Sequence, residues 1–215
     1  MKDEIEVLEQ SLITQYRQYF ETSETYSEFK LFGTTEISDA LKGKGVMDAG
    51  IKPLDLNTKI IGRAFTVQLP PGDGVLTLEA IEAAEPGDIL VIHSGGTMDL
   101  AVWGDVKTIK AMSKRIAGVV VDGAIRDRKK NMALGFPVFS RAQVVQASGK
   151  AGGGELNVPV VCGGVLVRPG DLILGDADGV VVIPPEQLQI AVEGASKKLK
   201  NDEEKIYKVL TGGLL

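Results

Sequence analysis

The sequence predicts an α/β or α+β protein built on a mainly β core. Three observations carry that expectation. Short apolar runs such as 60–67, 89–92, 119–121 and 179–183 dominate the middle of the chain. Segments with helical spacing flank them at both ends. The same Pro-Gly-Asp turn opens two strands, at 86–88 and 169–171, where Pro sets φ and Gly admits a positive φ. At 215 residues the chain can bury one good core and is short for two ordinary domains.

Each element has its own warrant. Ile5, Leu8, Leu12, Tyr16 and Tyr19 recur at three- and four-residue steps, giving a polar helix one apolar stripe that should pack on the parent domain or on a neighbouring subunit. Residues 1–30 are thus expected to form a helical extension to a domain spanning 31–215. Residues 23–29 read as a linker or loose turn. A second helix should start at Thr34 or Thr35, either of which can cap it, and end before Gly43 and Gly45. A long strand at 60–67, a helix at 76–84 and a strand at 89–92 follow. A helix from about Gly104 to Arg115 then leads to the strand 119–121. There Lys107, Lys110 and Lys114 follow helical spacing like a solvated face. A short helix at 128–134 should stop at Gly135, with a strand at 136–139 next. The Gly-rich stretch 148–155 reads as a flexible loop. Short strands at 158–161, 165–167, 172–174 and 179–183 lead to a charged helix opened by Pro184-Pro185 and closed by Gly212-Gly213.

Composition excludes several functions. The chain is 44% apolar and 25% charged with net charge −5, and it lacks the clustered Lys and Arg that phosphate neutralisation needs. Nucleic acid is not an expected partner. No apolar run is long enough to span a membrane, and the N-terminus lacks the order of a signal peptide, so a cytoplasmic location is expected. The single cysteine, Cys162, reads as a buried hydrophobe rather than a nucleophile. The single histidine, His93, reads as a strand-end residue, and one imidazole cannot support a multi-histidine zinc site. Nucleotide-binding fingerprints are missing, and Ser148–Gly154 lacks the flanking strand and helix of a phosphate loop.

Oxygen chemistry remains. Twenty residues separate Asp105 from Arg126-Asp127, the length of one helix, one turn and one buried strand. Both ends of such a segment return to the same sheet edge. Mg²⁺ or Mn²⁺ takes one or two carboxylates and keeps several waters, a role open to Asp127. Arg126 can grip a carboxylate through two parallel hydrogen bonds. The amides of Gly104, Asp105, Val106 and Lys107 would form an anion site at the helix's positive end. A 2-keto acid matches this set, although an Arg-Asp pair after a strand also fits a surface turn. Asp122 in turn fits a plain Asp-Gly turn.

Several runs resemble the RraA-like family: 101–105, 120–127, 134–139, 158–164, 169–171 and 176–180, with Ser38-Asp39-Ala40-Leu41 and Gly72-Asp73. That family includes the class II 4-hydroxy-4-methyl-2-oxoglutarate/4-carboxy-4-hydroxy-2-oxoadipate aldolases. The resemblance implies an α/β fold of the β/β/α swivelling type, here with an added N-terminal helix, assembled as a homotrimer or a pair of trimers. It also implies Asp127 as the Mg²⁺ or Mn²⁺ residue and Arg126 as the group that binds substrate and stabilises a pyruvate enolate. The amides of residues 104–107 would hold the carboxylate, and Asp105 would take part in proton transfer through water. Glu203, or nearly as well Glu204, would come from a neighbour's C-terminal helix. The implied activity is cleavage of 4-hydroxy-2-oxo acids to pyruvate with oxaloacetate decarboxylation. The alternative is a non-catalytic regulator of ribonuclease activity acting by protein contact. His93 and Lys107 depart from the family's usual residues.

Overall fold

The chain turns its most apolar segments into the centre of one twisted sheet. A computed structural model describes residues 1–212. The central strands are β1 (Lys52–Pro53), β2 (Ile60–Gln68), β3 (Ile89–His93), β4 (Ala101–Trp103), β5 (Gly118–Ile125) and β6 (Val138–Gln143). Later come β7 (Glu155–Leu156), the hairpin β8 (Val160–Cys162) and β9 (Val165–Val167), then β10 (Leu172–Gly175) and β11 (Val180–Ile183). Nine of the eleven form a sheet ordered β1-β6-β5-β3-β2-β10-β11, with β4 beside β5 and β7 beside β2. β2, β3, β5 and β6 run parallel, whereas β10 adds antiparallel to β2 and β11 antiparallel to β10.

Burial on both faces explains why β5 reads as an unbroken Val run. Alternate residues serve two cores. Ile92, Val121 and Trp103 face a layer built from α1 (Lys2–Thr22), α3 (Leu76–Ala83), α4 (Asp105–Ser113) and α5 (Arg128–Leu134). Val91, Val120 and Phe139 face the β8–β9 side. A third core joins β10 and β11 to α2 (Thr34–Ala40) and α6 (Leu188–Leu210), with Ala191 and Ala195 buried where the two helices meet. No helix is long and apolar enough to cross a membrane among the described residues.

The N-terminal stripe divides. Tyr16 is buried on the domain, with Ile13 from beside the stripe, and its hydroxyl donates to the carbonyls of Ile116 and Ala117, each at 3.0 Å. Ile5 and Leu8, in the same stripe, are exposed. Residues 23–29 are tighter than a linker, because Ser27–Leu31 is a 3-10 turn that buries Phe29 completely. Neither Thr34 nor Thr35 caps α2. Gly33 holds that position, its amide donating to Glu36 Oε2 at 2.8 Å, while Thr34 donates from both its amide and its hydroxyl to Asp176 at 2.7 Å.

Asp122 does not make a turn. It lies inside β5, whose strand continues to Ile125 because this carboxylate is satisfied within the protein: Arg141 Nε and the Gly163 amide both donate to it. Next to it Gly123 has no room for a side chain, since a Cβ there would sit 1.9 Å from Ser94 Oγ. The short helix at 128–134 stops as expected at Gly135, which is left-handed with φ 69°. Of the expected Gly212-Gly213 stop, Gly212 takes φ 77°, and Gly213 lies outside the described residues.

Candidate active site

The β4–α4–β5 segment returns both its ends to one place. β4 pairs parallel with β5 at Ala101↔Ala124 and Trp103↔Ile125, and the Arg126 amide donates to the Trp103 carbonyl at 3.0 Å. Just past β4 the extended Gly104 caps α4; just past β5 come Arg126 and Asp127. Asp127 is left-handed at φ 57°, a conformation that short polar residues tolerate better than most.

A buried chain of hydrogen bonds holds this corner. Trp103 Nε1 donates to Thr108 Oγ1 at 2.8 Å, and Thr108 Oγ1 donates to Asn131 Oδ1 at 2.5 Å. Asn131 Nδ2 then donates to the carbonyls of Arg126 at 2.8 Å and Asp127 at 3.1 Å. Thr108 and Asn131 are fully buried. Neither was foreseen in the sequence. The only available signal was a polar residue on the inner stripe of each short helix, which pattern alone reads as a flaw in the stripe.

The side chains then converge. Asp127 Oδ2 lies 3.3 Å from Arg126 Nε and accepts a long hydrogen bond of 3.4 Å from the Asp105 amide. Asp105 Oδ1 accepts from the Val106 amide at 2.8 Å. The amides of Gly104 and Lys107 take no protein acceptor among the described residues. Gly104 is needed for a specific reason: a Cβ there would fall 2.5 Å from Asp127 Oδ2. A cavity of about 310 Å³ opens here, lined among others by Gly74, Lys107, Arg126, Asp127, Ser148 and Lys150. It suits a small ligand with a few convergent polar groups.

Two expectations change at this cavity. The lysines of α4 do not share one solvated face. Lys110 and Lys114 pair with Glu82 on α3 at 2.9 and 2.6 Å, but Lys107 turns inward. Its Nζ donates to the carbonyls of Gly74 and Val102, each at 2.7 Å, because the first turn of α4 lies against the 72–75 loop. The Gly-rich stretch is a loop as expected, but it is pinned. The Ser148 amide donates to Ala101 O at 3.0 Å, the Gly149 amide to Gly72 O at 2.7 Å, and the Gly152 amide to Asp73 Oδ2 at 3.0 Å. Sequence spacing could not show that this loop walls the site.

Other residues fall elsewhere. Glu203 and Glu204 are exposed on α6, outside this cavity. His93 ends β3, half-buried, with its Nδ1 lacking a partner among the described residues. Cys162 is fully buried, and that burial pushes its thiol pKa up, as an inert core residue requires. A larger cavity of about 500 Å³ lies between the end of α1 and β2, but its charges are committed. Arg63 there pairs with Asp88 at 2.9 Å, and Lys59 donates to the carbonyls of Lys30 and Phe32.

The donor set bears on a metal. Among the described residues no three His, Cys, Asp or Glu gather as a cage. Asp127 offers one hard carboxylate beside an open cavity, which fits a cation that keeps most of its waters and misfits a zinc-type site.

This fold and corner define a protein of the aldolase/RraA class, with an N-terminal helix added to the RraA fold. The chain belongs to the RraA-like family: the family model described as Aldolase/RraA matches residues 34–182. A Halalkalibacterium halodurans protein, provisionally named a 4-hydroxy-4-methyl-2-oxoglutarate aldolase, is 48% identical over 177 residues, covering 82% of this chain and 84% of its own length. A Thermus thermophilus protein named 4-hydroxy-4-methyl-2-oxoglutarate aldolase is 30% identical over 70% of this chain and 92% of its own. Among solved structures, a Streptomyces coelicolor protein described as an unusual member of the RNase ES inhibitor RraA family superposes with TM-score 0.76 at 30% identity. That match covers 86% of this chain and 98% of the other.

Proposed function

We propose that this protein is a divalent-metal-dependent lyase that cleaves 4-hydroxy-2-oxo acids to pyruvate and also decarboxylates oxaloacetate. One observation carries the reading: the Arg126 guanidinium, the Asp127 carboxylate and the free amides at the start of α4 meet at a single cavity. The aldolase names of the relatives support it.

The substrate carboxylate binds the positive end of α4, at the amides of Gly104 and Lys107, with Arg126 beside it. Asp127 would hold Mg²⁺ or Mn²⁺, which when bound supplies Lewis-acid polarisation of the 2-oxo oxygen. Breaking the bond between C3 and C4 leaves an electron pair that spreads onto that oxygen, and Arg126 stabilises the growing negative charge. Loss of CO₂ from oxaloacetate produces the same enolate, so both activities use one site. Asp105, whose carboxylate is tied to the Val106 amide, holds water for proton transfer. Glu203 of α6 completes the site of a neighbouring subunit in a cytoplasmic homotrimer or hexamer.

Pyruvate release from 4-hydroxy-4-methyl-2-oxoglutarate and from oxaloacetate, coupled to lactate dehydrogenase with Mg²⁺ and then with EDTA, tests this reading. No Mg²⁺-dependent pyruvate from either substrate would sink it. A second reading, a ribonuclease regulator acting by protein contact, draws on the description of the Streptomyces coelicolor relative.

A further inference from the structure

We infer that the Lys107 ε-amino group transfers protons to and from the substrate in this cavity. The inference rests on the pyruvate-forming reading above and adds to it a residue and a direction of proton flow.

The stereochemistry at Nζ carries the argument. An amine nitrogen at the end of a lysine has three positions besides its carbon. Two are taken by N–H donors to the carbonyls of Gly74 and Val102, both at 2.7 Å. Both hydrogen bonds survive whether the group is charged or neutral, because a neutral amine keeps two N–H. Only the third position changes: it is an N–H in the ammonium and a lone pair in the amine. No protein acceptor takes it among the described residues, and Lys107 lines the same cavity as Arg126 and Asp127. Gly74 keeps that surface open. A Cβ at residue 74 would sit 3.2 Å from Lys107 Nζ and 2.5 Å from Ser148 Oγ.

The surroundings bring the two forms close in energy. Lys110 and Lys114 each have Glu82 as a counter-ion, but Lys107 has no ion pair among the described residues. The charged groups around it are Asp73 from the 72–75 loop, Arg126 after β5, and Asp105, Asp127 and Lys150 along the cavity. Burial and the Arg126 charge push its pKa down to about 8, with Asp73 opposing them. Such a value suits a group that must both take and give a proton near neutrality.

The step balances. Through the water that Asp105 holds, the neutral amine takes the C4 hydroxyl proton as C4 becomes a carbonyl, and the electrons of the C3–C4 bond pass to the enolate. The resulting ammonium returns that proton to C3, giving the pyruvate methyl and the free amine. Decarboxylation of oxaloacetate has no hydroxyl proton to remove and uses only the ammonium. The retro-aldol rate should therefore rise with pH through about 8, while the decarboxylation rate should not. Imine formation is disfavoured by the same geometry, because a protonated imine has one N–H and would leave one of the two carbonyls unpaired.

Exchange of the pyruvate C3 protons in D₂O, followed by proton NMR with Mg²⁺ present, isolates this step. Lys107→Met should slow exchange by on the order of 100-fold with pyruvate affinity changed little. Lys107→Arg should behave like the Met variant, since its charge does not leave. Undiminished exchange in a folded Lys107→Met protein overturns the assignment. If the wild type shows neither exchange nor pyruvate release, the pyruvate reading itself fails instead. Where the Met variant does not fold, the Cε chemical shift of Lys107 in the metal-free wild type decides: a midpoint near 8 supports the role, and one above about 10 overturns it. A borohydride-trapped pyruvate adduct on Lys107 would replace proton transfer with imine chemistry and also overturn it.

Discussion

Asp127 places its carboxylate where a side chain at Gly104 would have to be: a Cβ on residue 104 would lie 2.5 Å from Asp127 Oδ2. The two residues come from opposite ends of the β4–α4–β5 unit, so one glycine sets where the acidic group can stand.

Gly104→Ala should therefore displace the Asp127 carboxylate while leaving the core untouched. The expected result is a loss of Mg²⁺-dependent pyruvate formation by on the order of 100-fold or more, with less than about 1 kcal/mol of lost stability. Asp127→Asn should match it, because Asn keeps the left-handed backbone that Asp127 uses while removing the charge. Full activity in either variant argues against Asp127 as the metal residue. Titration calorimetry with Mn²⁺ gives an independent readout.

Arg126→Lys keeps a charge but loses the planar fork. Its donors can no longer serve a carboxylate and a growing oxyanion together. The prediction is a fall in kcat/KM of roughly 10²-fold, most of it in kcat, measured in the coupled pyruvate assay. A change confined to KM would reduce Arg126 to ground-state binding.

Tyr16 ties α1 to the turn before β5, and burial pushes the pKa of its phenol above the ordinary value of about 10. The folded chain thus holds this proton more tightly than the unfolded one. The resulting stability is complete below about pH 10 and is lost as pH rises beyond it. Tyr16→Phe should cost about 1 kcal/mol at pH 7 and flatten the alkaline decline, as read by urea unfolding at pH 7 and above 10. An unchanged alkaline slope would show that another group causes it.

Gly123→Ala should be among the most damaging single-methyl additions, since the new carbon would overlap Ser94 Oγ at 1.9 Å. Roughly 2–3 kcal/mol of destabilisation is expected, partly recovered when Ser94→Gly is added. If the two changes simply add, the clash is not the cause.

The architecture was legible wherever burial imposes a period. β2, β3 and β5 show as apolar runs, and α5 is bounded by Asp127 and Gly135. The Asp105-to-Arg126 spacing was legible too, because a parallel strand-helix-strand unit leaves few ways to return. What spacing could not carry was the direction of individual side chains. Lys107 follows the same three- and four-residue rhythm as Lys110 and Lys114, yet it alone meets two backbone carbonyls, one of the 72–75 loop and one of β4. Asp122 looks like half of an Asp-Gly turn until Arg141 and the Gly163 amide, both distant in sequence, are brought to it. Thr108 and Asn131 look like breaks in apolar stripes for the same reason: their partner is another helix.

The pinned Gly-rich loop has a consequence for how the site comes into being. The hydrogen bond from the Gly149 amide to Gly72 O joins residues 77 apart in sequence, and closing a chain segment of that length costs about 4 kcal/mol of entropy. That closure is repaid only when β4, β5 and the loop dock together, so the cavity wall depends on long-range contacts that no local segment can supply. Without the docked loop the pocket lacks one of its walls. A ligand of this pocket acts only on finished molecules: at a hundred times its Kd it adds about 2.7 kcal/mol to their stability. Occupancy of the site thereby becomes a measure of how much of the protein is completely folded.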